Sequence, residues 1–191
     1  LRNSSAASDV YKRQLPGSRK QEINKILPVM ISVIDSFPNH RFVIAGTSNI
    51  DKSLYKRFAP NVDVVMDLTY DVLRIAQAAI VTSGTATLET ALLKTPQIVC
   101  YKASPLSFAI AKRIVKLPFV SLVNLIAGRL LVQELIQNDC NAFAFTNALK
   151  EILSPDGRKK VLSGYNDLIQ KLGGRGASEK VAKLIYKRTH A

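Results

Sequence analysis

The sequence has few of the residues that build disulfide frameworks, metal sites or membrane spans. Cysteine occurs twice in 191 residues, as Cys100 and Cys140, and their separation fits neither a disulfide framework nor a metal motif, which indicates a reducing compartment. No apolar run approaches the roughly 18 residues that a spanning helix needs, and no signal peptide is recognisable. The two histidines, His40 and His190, stand in no recognisable catalytic or metal-binding setting. We therefore expect a cytoplasmic protein without a metal or a cofactor.

Acidic residues are also scarce. Lys and Arg number 27 against 14 Asp and Glu, which gives a formal net charge of +13. A charge of this size favours an anionic partner, and a phosphate ligand, a nucleic acid and an anionic lipid surface all remain open. Hydrophobic residues make up 47% of the chain, enough for a well-packed core, so the composition favours a folded domain over disorder.

The first fourteen residues, LRNSSAASDVYKRQ, differ from the rest of the chain. They show no apolar periodicity and join abruptly to LPGSR, at a point where an α/β protein would finish a buried strand. The segment resembles a translated adapter or cloning scar, which has no place in a fold prediction. We therefore interpret residues 1–14 as non-native and expect the remainder to be the C-terminal part of a longer protein.

From residue 15 onward, strand-like and helix-like patterns alternate. Alternation of this kind predicts βαβ units, a parallel sheet with flanking helices and an α/β fold. We predict strands at residues 41–46, 62–66, 78–83 and 97–101, a weaker strand at 118–122, and helices at 19–37, 51–58, 70–77, 85–93 and 105–116. Further helices are predicted at 132–137, 141–153, 156–171 and 177–189. This pattern indicates an α/β domain over residues 15–153 and a helical C-terminal tail over 154–191.

The stretch LPGSRKQEI has the setting of an anion site at the start of a helix. Gly17 allows a tight turn, and Ser18 with Gln21 fits a capping box. Arg19 has no such structural explanation, because a cation in the first turn faces the positive end of the helix dipole. We therefore expect Arg19 to bind an anion, with a solvated arginine as the alternative.

The stretch VTSGTATLET suggests a second ligand-binding loop at the end of a buried strand. The hydroxyls of Ser83, Thr85 and Thr87 suit a phosphate or a sugar, and Gly84 lets a ligand approach the backbone. Glu89 lacks a capping-box partner, since Ala86 stands three residues earlier. Glu89 is therefore either a ligand for ribose hydroxyls or a solvated first-turn acid. Asn124, just past the weak strand, is a further candidate because amides orient ligands in loops.

Five stretches resemble, in order, the C-terminal half of bacterial lipid-A-disaccharide synthase over residues 15–190: LPGSRKQEI, SGTATLE, YKASPLSFAIAKRIVK, SLVNLIAGR with QELIQ, and LGGRGASEKVA. The resemblance implies a GT-B glycosyltransferase, of which this chain is the Rossmann-like half that binds the donor nucleotide. It also implies an inverting transfer of 2,3-diacylglucosamine from its UDP derivative to 2,3-diacylglucosamine 1-phosphate. Two prolines usual in the family are replaced here, by Val123 and Gln133, which puts the loop geometry around Asn124 in doubt.

The resemblance also implies roles for single residues. Arg19 corresponds to an arginine that faces the pyrophosphate, residues 83–87 to the nucleotide loop, Glu89 to its carboxylate and Asn124 to a donor-site amide. An arginine with helix amides would stabilise departing UDP without a metal. The general base is expected in the N-terminal half, so the isolated chain should be inactive.

Other partners and functions follow from the charge pattern. Residues 90–133 contain six basic residues and no acid, and apolar residues at helical spacing lie beside the lysines near 106–117. This pattern favours peripheral binding to an anionic membrane surface over a core-facing helix. Two alternatives are another GT-B enzyme, such as a UDP-N-acetylglucosamine epimerase, and a basic nucleic-acid-binding module. The second lacks interleaved aromatics, so we expect no nucleic acid partner. The resemblance further suggests a homodimer.

Overall fold

The computed structural model of the protein describes residues 11–104 and 118–173, together with Phe108 and Tyr186. Six strands form one sheet in which every neighbouring pair is parallel. The strands are β1 (Tyr11–Leu15), β2 (Arg41–Gly46), β3 (Asp63–Met66), β4 (Ala78–Thr82), β5 (Gln97–Tyr101) and β6 (Glu134–Ile136). The predicted strands that became β2 to β5 are therefore confirmed.

The strand order is β3-β2-β1-β4-β5-β6, the order of a Rossmann sheet. The chain runs outward from β1 to β3, returns to the other side of β1 as β4, and continues outward to β6. Leu15 at the end of β1 pairs with Val81 near the end of β4. Since the winding direction reverses between β1 and β4, a crevice opens beyond their carboxyl ends, where open α/β sheets bind ligands.

Helices cover both faces of the sheet. The described helices are α1 (Lys20–Ile31), α2 (Lys52–Phe58), α3 (Thr69–Arg74), α4 (Thr85–Leu92), α5 (Leu122–Ala127), α6 (Ala142–Leu153) and α7 (Pro155–Leu172), with short 3-10 helices at Ile34–Ser36 and Gln137–Asp139. They follow the strands as the alternating pattern predicts.

Strand β4 shows how the sheet separates two cores. Ala78 and Ile80 belong to a cluster that includes residues of α1, α6 and α7, whereas Ala79 and Val81 pack with residues of α3. Successive side chains of a strand point to opposite faces, so a strand covered on both sides is apolar throughout. All five residues of β4 are buried, which fixes the loop that follows it.

Helix α7 belongs to the core that contains Ala78 and Ile80. Tyr165 is fully buried, and the pKa of its phenol is raised by burial. The Tyr165 hydroxyl accepts a hydrogen bond from Gln97 Nε2 at 3.2 Å, which ties α7 to the start of β5. The first helix of the predicted tail therefore packs on the sheet.

Two predictions of secondary structure are wrong. Residues 118–121 form a loop that leads into α5, where a weak strand is predicted, and residues 134–136 form strand β6, where a helix is predicted. Periodicity cannot separate a strand from a helix in apolar runs this short. Pairing with β5 decides the second case, since Val99 N donates to Gln133 O at 2.9 Å. The helices predicted at 105–116 and 177–189 lie largely outside the described residues.

The segment interpreted as a scar supplies the middle strand of the sheet. Tyr11–Leu15 pairs with β2 on one side and with β4 on the other. Its sequence, YKRQL, lacks the apolar run of β4, AAIVT, although a central parallel strand is normally apolar. The topology thus needs a strand at this position, and the non-native origin of residues 1–14 stays a hypothesis.

Candidate functional site

A cavity of about 580 Å³ opens at the carboxyl ends of the central strands. Its walls come from the loops after β1, β2, β3 and β4, so four strands position it. The lining residues are Gly17, Ser18, Arg19, Glu22, Ala45, Thr47, Asp67, Thr69, Tyr70, Thr82, Ser83, Gly84, Thr85, Ala86 and Glu89. The two loops that the sequence identifies separately, near Arg19 and near Gly84, therefore form one site.

The N-terminus of α1 faces this cavity without a side-chain cap. The capping box predicted from Ser18 and Gln21 is wrong, because the N-cap position is Arg19, in extended backbone, and no side chain accepts a hydrogen bond there. The first N–H groups of a helix have no partner within the helix. At α1 they remain available to an anion. Arg19 itself is 81% exposed and lies 3.4 Å from Glu22 across one turn.

The N-terminus of α4 reaches the same cavity in a similar way. Gly84 occupies the N-cap position, again with no side-chain cap, and its backbone is extended. A Cβ built on Gly84 would meet nothing within 4 Å, so the backbone there borders open space. Ser83 is held from outside the helix, because its N–H donates to Cys100 O at 2.8 Å and its hydroxyl to Val120 O at 2.9 Å. A ligand can thus approach the first amides of α4 directly.

Two buried hydroxyls in the cavity wall lack a nitrogen or oxygen partner within the described part of the chain. Thr82, at the end of β4, is 6% exposed, and its Oγ1 lies beside the Cys100 thiol without a nitrogen or oxygen partner among the described residues. The Oγ1 of Thr47, after β2, is also buried without a hydrogen-bond partner among the described residues. Buried polar atoms are nearly always hydrogen-bonded, so these two hydroxyls are available to a polar ligand or to water in the cavity.

The cavity also holds an acidic side chain beside an aromatic one. Glu89, in α4, is partly buried, and its negative charge raises the pKa of the Tyr70 phenol above the usual tyrosine value. Tyr70 lies in the first turn of α3 and is 52% exposed. A carboxylate is acceptor-only, so Glu89 suits the hydroxyls of a sugar and not a phosphate.

Thr87 is not part of the cavity wall. It is fully buried in α4, and its hydroxyl donates to Gly84 O at 2.8 Å. Its carbonyl accepts from Gln97 Nε2, also at 2.8 Å. The structure therefore gives Thr87 a role in fixing the loop.

Asn124 also lies outside the cavity, fully buried in α5. Its Oδ1 accepts from the amides of Leu131 and Val132 at 2.8 and 2.9 Å, and its Nδ2 donates to Val132 O and to Glu134, each at 2.8 Å. These contacts use both oxygen lone pairs and both N–H groups. In this conformation the Asn124 amide has no group left for a ligand.

The cavity also includes residues that are not among the candidates predicted from the sequence, such as Thr47, Asp67, Tyr70 and Thr82. Asp67 follows β3 directly and has a positive φ of 56°. Its Oδ1 accepts from Ser48 N at 2.9 Å and its N–H donates to Gly46 O at 3.0 Å, so it joins the loops after β2 and β3. A signal existed, because polar residues directly after parallel strands face the ligand crevice.

The two cysteines have the burial and the raised pKa of unreactive thiols. Cys100 and Cys140 are both buried and free, and burial raises the pKa of both thiols. A raised pKa leaves little thiolate, so neither group is a nucleophile. Within the parts of the chain that the structure describes, no three His, Cys, Asp or Glu side chains come together as a metal site. None of the described helices combines the length and apolar character needed to cross a bilayer.

Comparison with known proteins gives a family match across almost the whole chain. The family model described as lipid-A-disaccharide synthetase matches residues 8–187. A curated relative, the lipid-A-disaccharide synthase of Syntrophus aciditrophicus (strain SB), is 38% identical over 178 residues, which cover 88% of this chain and 46% of the relative. The chain spans a little under half the length of the curated relatives that it matches.

Solved structures show the same fold at low sequence identity. The spinosyn rhamnosyltransferase SpnG superposes with a TM-score of 0.63 at 13% identity, covering 95% of this chain and 46% of that protein. The same enzyme complexed with thymidine diphosphate superposes with a TM-score of 0.57 at 17% identity, over 87% of this chain and 42% of that one. The described sheet and helices are thus one Rossmann-like half of a GT-B glycosyltransferase fold.

Proposed function

We infer that this chain, which belongs to the lipid-A-disaccharide synthetase family, is the donor-binding part of an inverting hexosyltransferase. The whole enzyme transfers 2,3-diacylglucosamine from its UDP derivative to the 6-hydroxyl of 2,3-diacylglucosamine 1-phosphate and releases UDP. One observation supports this proposal most strongly. The uncapped N-termini of α1 and α4 meet in one cavity, at the point where the winding of the sheet reverses.

The pyrophosphate of the donor binds between these two helix N-termini. Unpaired amides and the helix dipole make such a terminus an anion site, and two termini converge here. Arg19 adds an exposed cation at the rim, where its guanidinium lies 3.4 Å from the Glu22 carboxylate. A phosphate oxygen would replace Glu22 as the acceptor and form a shorter, charge-assisted hydrogen bond with Arg19.

The sugar part of the nucleotide binds beside Glu89. Its carboxylate accepts hydrogen bonds from ribose hydroxyls, and Ser83, Gly84 and Thr85 form the adjoining wall. The buried Thr82 hydroxyl finds its missing partner in the ligand. The complex of SpnG with thymidine diphosphate supports a nucleoside diphosphate as the ligand, since the superposed part of that enzyme has the same fold.

The same groups assist departure of UDP. Negative charge develops on the leaving diphosphate, and preorganised amides with Arg19 stabilise it where it forms. The acceptor hydroxyl also needs a general base. We place that base in the part of the enzyme that this chain does not span, so the isolated chain binds the donor without transferring it. Thr87 and Asn124 then support the site from behind its wall, and the family match favours this transferase over the epimerase or a nucleic-acid-binding module.

Two further proposals concern location and assembly. Acylated substrates and the basic segment at residues 105–116 favour peripheral binding to the anionic cytoplasmic face of the inner membrane. That segment lies mostly outside the described residues, so its sequence alone carries the proposal. We also propose a homodimer as the working assembly. Flotation of the whole enzyme with anionic vesicles and sedimentation velocity would test these two points.

The experiment for the main proposal uses the whole enzyme that carries this chain. It is supplied with UDP-2,3-diacylglucosamine and the 1-phosphate acceptor, and the disaccharide 1-phosphate and UDP are measured. We expect both products in equal amounts, and their loss in Gly84→Val. Epimerisation of the supplied UDP-sugar without formation of the disaccharide, or no product at all from a folded enzyme, would overturn the proposal.

A further inference from the structure

The loop at residues 118–121, which we call the 118–121 loop, is held by a single carboxylate. Glu134, at the start of β6, accepts hydrogen bonds from Val120 N at 2.8 Å, Ser121 N at 2.9 Å and Ser121 Oγ at 2.7 Å. Asn124 Nδ2 supplies a fourth at 2.8 Å. Four donors converge on one partly buried side chain, which therefore fixes the loop and the first turn of α5 together.

The loop in turn contacts the proposed donor site through a hydrogen bond. Ser83 Oγ donates to Val120 O at 2.9 Å, and Ser83 lines the cavity. Val120 thus links Glu134 to Ser83, because its N–H donates to the Glu134 carboxylate and its carbonyl accepts from the Ser83 hydroxyl. The Glu134 carboxylate itself lines no part of the cavity.

The bond also determines what Ser83 offers a ligand. A serine hydroxyl has one proton and two lone pairs. The proton is used by Val120 O, so the hydroxyl oxygen of this cavity-lining residue is left as an acceptor. A phosphate oxygen needs a donor, whereas a sugar hydroxyl donates readily. Ser83 in this orientation therefore suits a hydroxyl of the donor.

We propose that Glu134 is a positioning residue of the donor site, which acts through Val120 to hold the Ser83 hydroxyl as a hydrogen-bond acceptor for the ligand. The proposal rests on the function proposed above. Asn124 and Ser121 complete the same clamp, since Ser121 Oγ caps α5 at Asn124 N and Asn124 fixes the amides of Leu131 and Val132. The two proline replacements at Val123 and Gln133 leave every one of these bonds formed.

For the variant Glu134→Gln, electrostatics alone and loss of the hydrogen bonds to the loop predict opposite changes in UDP affinity. Glu134→Gln removes a negative charge from the neighbourhood of an anion site, which by itself would strengthen binding of a diphosphate. It also turns one acceptor into a donor that faces the N–H groups now bound there. Weaker binding in this variant would therefore report lost geometry. Glu151→Gln, the same chemical change at an exposed position of α6, is the matched control.

The test is a double-mutant cycle by titration calorimetry, with UDP as the probe and the 191-residue chain as the protein. We expect Glu134→Gln and Ser83→Ala each to weaken UDP binding about tenfold, and the double variant to weaken it about tenfold as well. Glu151→Gln should bind within about twofold of the unsubstituted chain. A purely structural role for Glu134 would instead give additive losses, about a hundredfold in the double variant.

The outcomes separate the two proposals. UDP binding by the unsubstituted chain with an unchanged affinity in Glu134→Gln, or additive losses, overturns the role of Glu134 and leaves the donor site standing. Absence of UDP binding by the folded chain overturns the donor site, and the role of Glu134 with it. If Glu134→Gln fails to fold, amide hydrogen exchange in the unsubstituted chain decides. We expect Val120 N–H to be protected and to exchange more slowly with UDP, and exchange unaffected by UDP would contradict the proposal.

Discussion

Two groups of helices in this molecule begin differently. Of the seven α-helices that the structure describes, four have a side-chain cap, in which an oxygen of the N-cap residue accepts a hydrogen bond from an amide of the first turn: α2 with Asp51, α5 with Ser121, α6 with Asn141 and α7 with Ser154. Three have none, and their N-cap residues are Arg19 in α1, Leu68 in α3 and Gly84 in α4. The first turns of these three helices border the cavity, and the capped N-termini do not line it.

The difference shows where the molecule favours binding over local stability. A side-chain cap typically stabilises a protein by about 1 kcal/mol, and its absence leaves amides that need another partner. Sequences that break such a local rule usually do so at functional sites. The uncapped helices here share one cavity with Arg19, Glu89 and two unpartnered threonine hydroxyls, so their free amides are best explained by a ligand.

The largest expected effect comes from closing the open side of an uncapped helix. Gly84→Val places a branched side chain where the backbone borders open space, in extended backbone that valine adopts without strain. We expect UDP affinity to fall at least about 100-fold, roughly 2.8 kcal/mol, with a nearly unchanged melting temperature. Calorimetry and thermal unfolding check both numbers. Retained UDP binding would show that the α4 N-terminus is not the phosphate site.

A smaller loss of affinity is expected from the cation at α1. Arg19→Ala removes a charge-assisted contact, and we expect UDP binding to weaken about tenfold. Arg74→Ala is the matched control, because Arg74 also pairs with an acid three residues away, Asp71 at 3.2 Å, and does not line the cavity. Equal losses in the two variants would mean that only overall charge matters. Raising the salt concentration should reduce the difference between them.

A capped helix should show the reverse pattern. Ser154 Oγ accepts a hydrogen bond from Gly157 N at 3.1 Å at the start of α7, and neither residue lines the cavity. We expect Ser154→Ala to lower the free energy of unfolding by about 1 kcal/mol, equivalent to a melting temperature lower by roughly 2–4 °C, and to leave UDP affinity unchanged. Denaturant unfolding with parallel calorimetry measures both. A loss of UDP affinity would contradict the division into capped helices that add stability and uncapped helices that bind the ligand.

The smallest expected effect is a change of one pKa at the third uncapped helix. The charge of Glu89 raises the pKa of Tyr70 above 10.0, so Glu89→Gln should return it toward that value. Asp71→Asn is the control and should leave it raised. Because the folded state holds this proton more tightly, its contribution to stability is full below the ordinary tyrosine pKa and is lost as pH rises through the raised value. NMR titration of the Tyr70 ring gives the result, and an unchanged pKa would separate Glu89 from Tyr70.

Sequence patterns predicted the sheet better than the details of the site. Buried parallel strands such as β4 are continuous apolar runs, so β2 to β5 were recognisable. Strand β6 was not, because three residues carry no period and pairing with β5 decides their conformation. Arg19 and Glu89 were identifiable as residues that break helix-capping rules. The clamp at Glu134 was not, since its donors lie ten to fourteen residues away in the chain.

The most direct test of a pyrophosphate site between α1 and α4 is an NMR titration of the isotopically labelled chain with UDP and, separately, with uridine. We expect the first-turn amides of the uncapped helices, such as Lys20 and Thr85, to shift with UDP and much less with uridine. The capped amides of Ser53 and Gly157 should stay in place with both. Shifts of similar size at capped and uncapped helices, or equal shifts with UDP and uridine, would contradict a pyrophosphate site between α1 and α4.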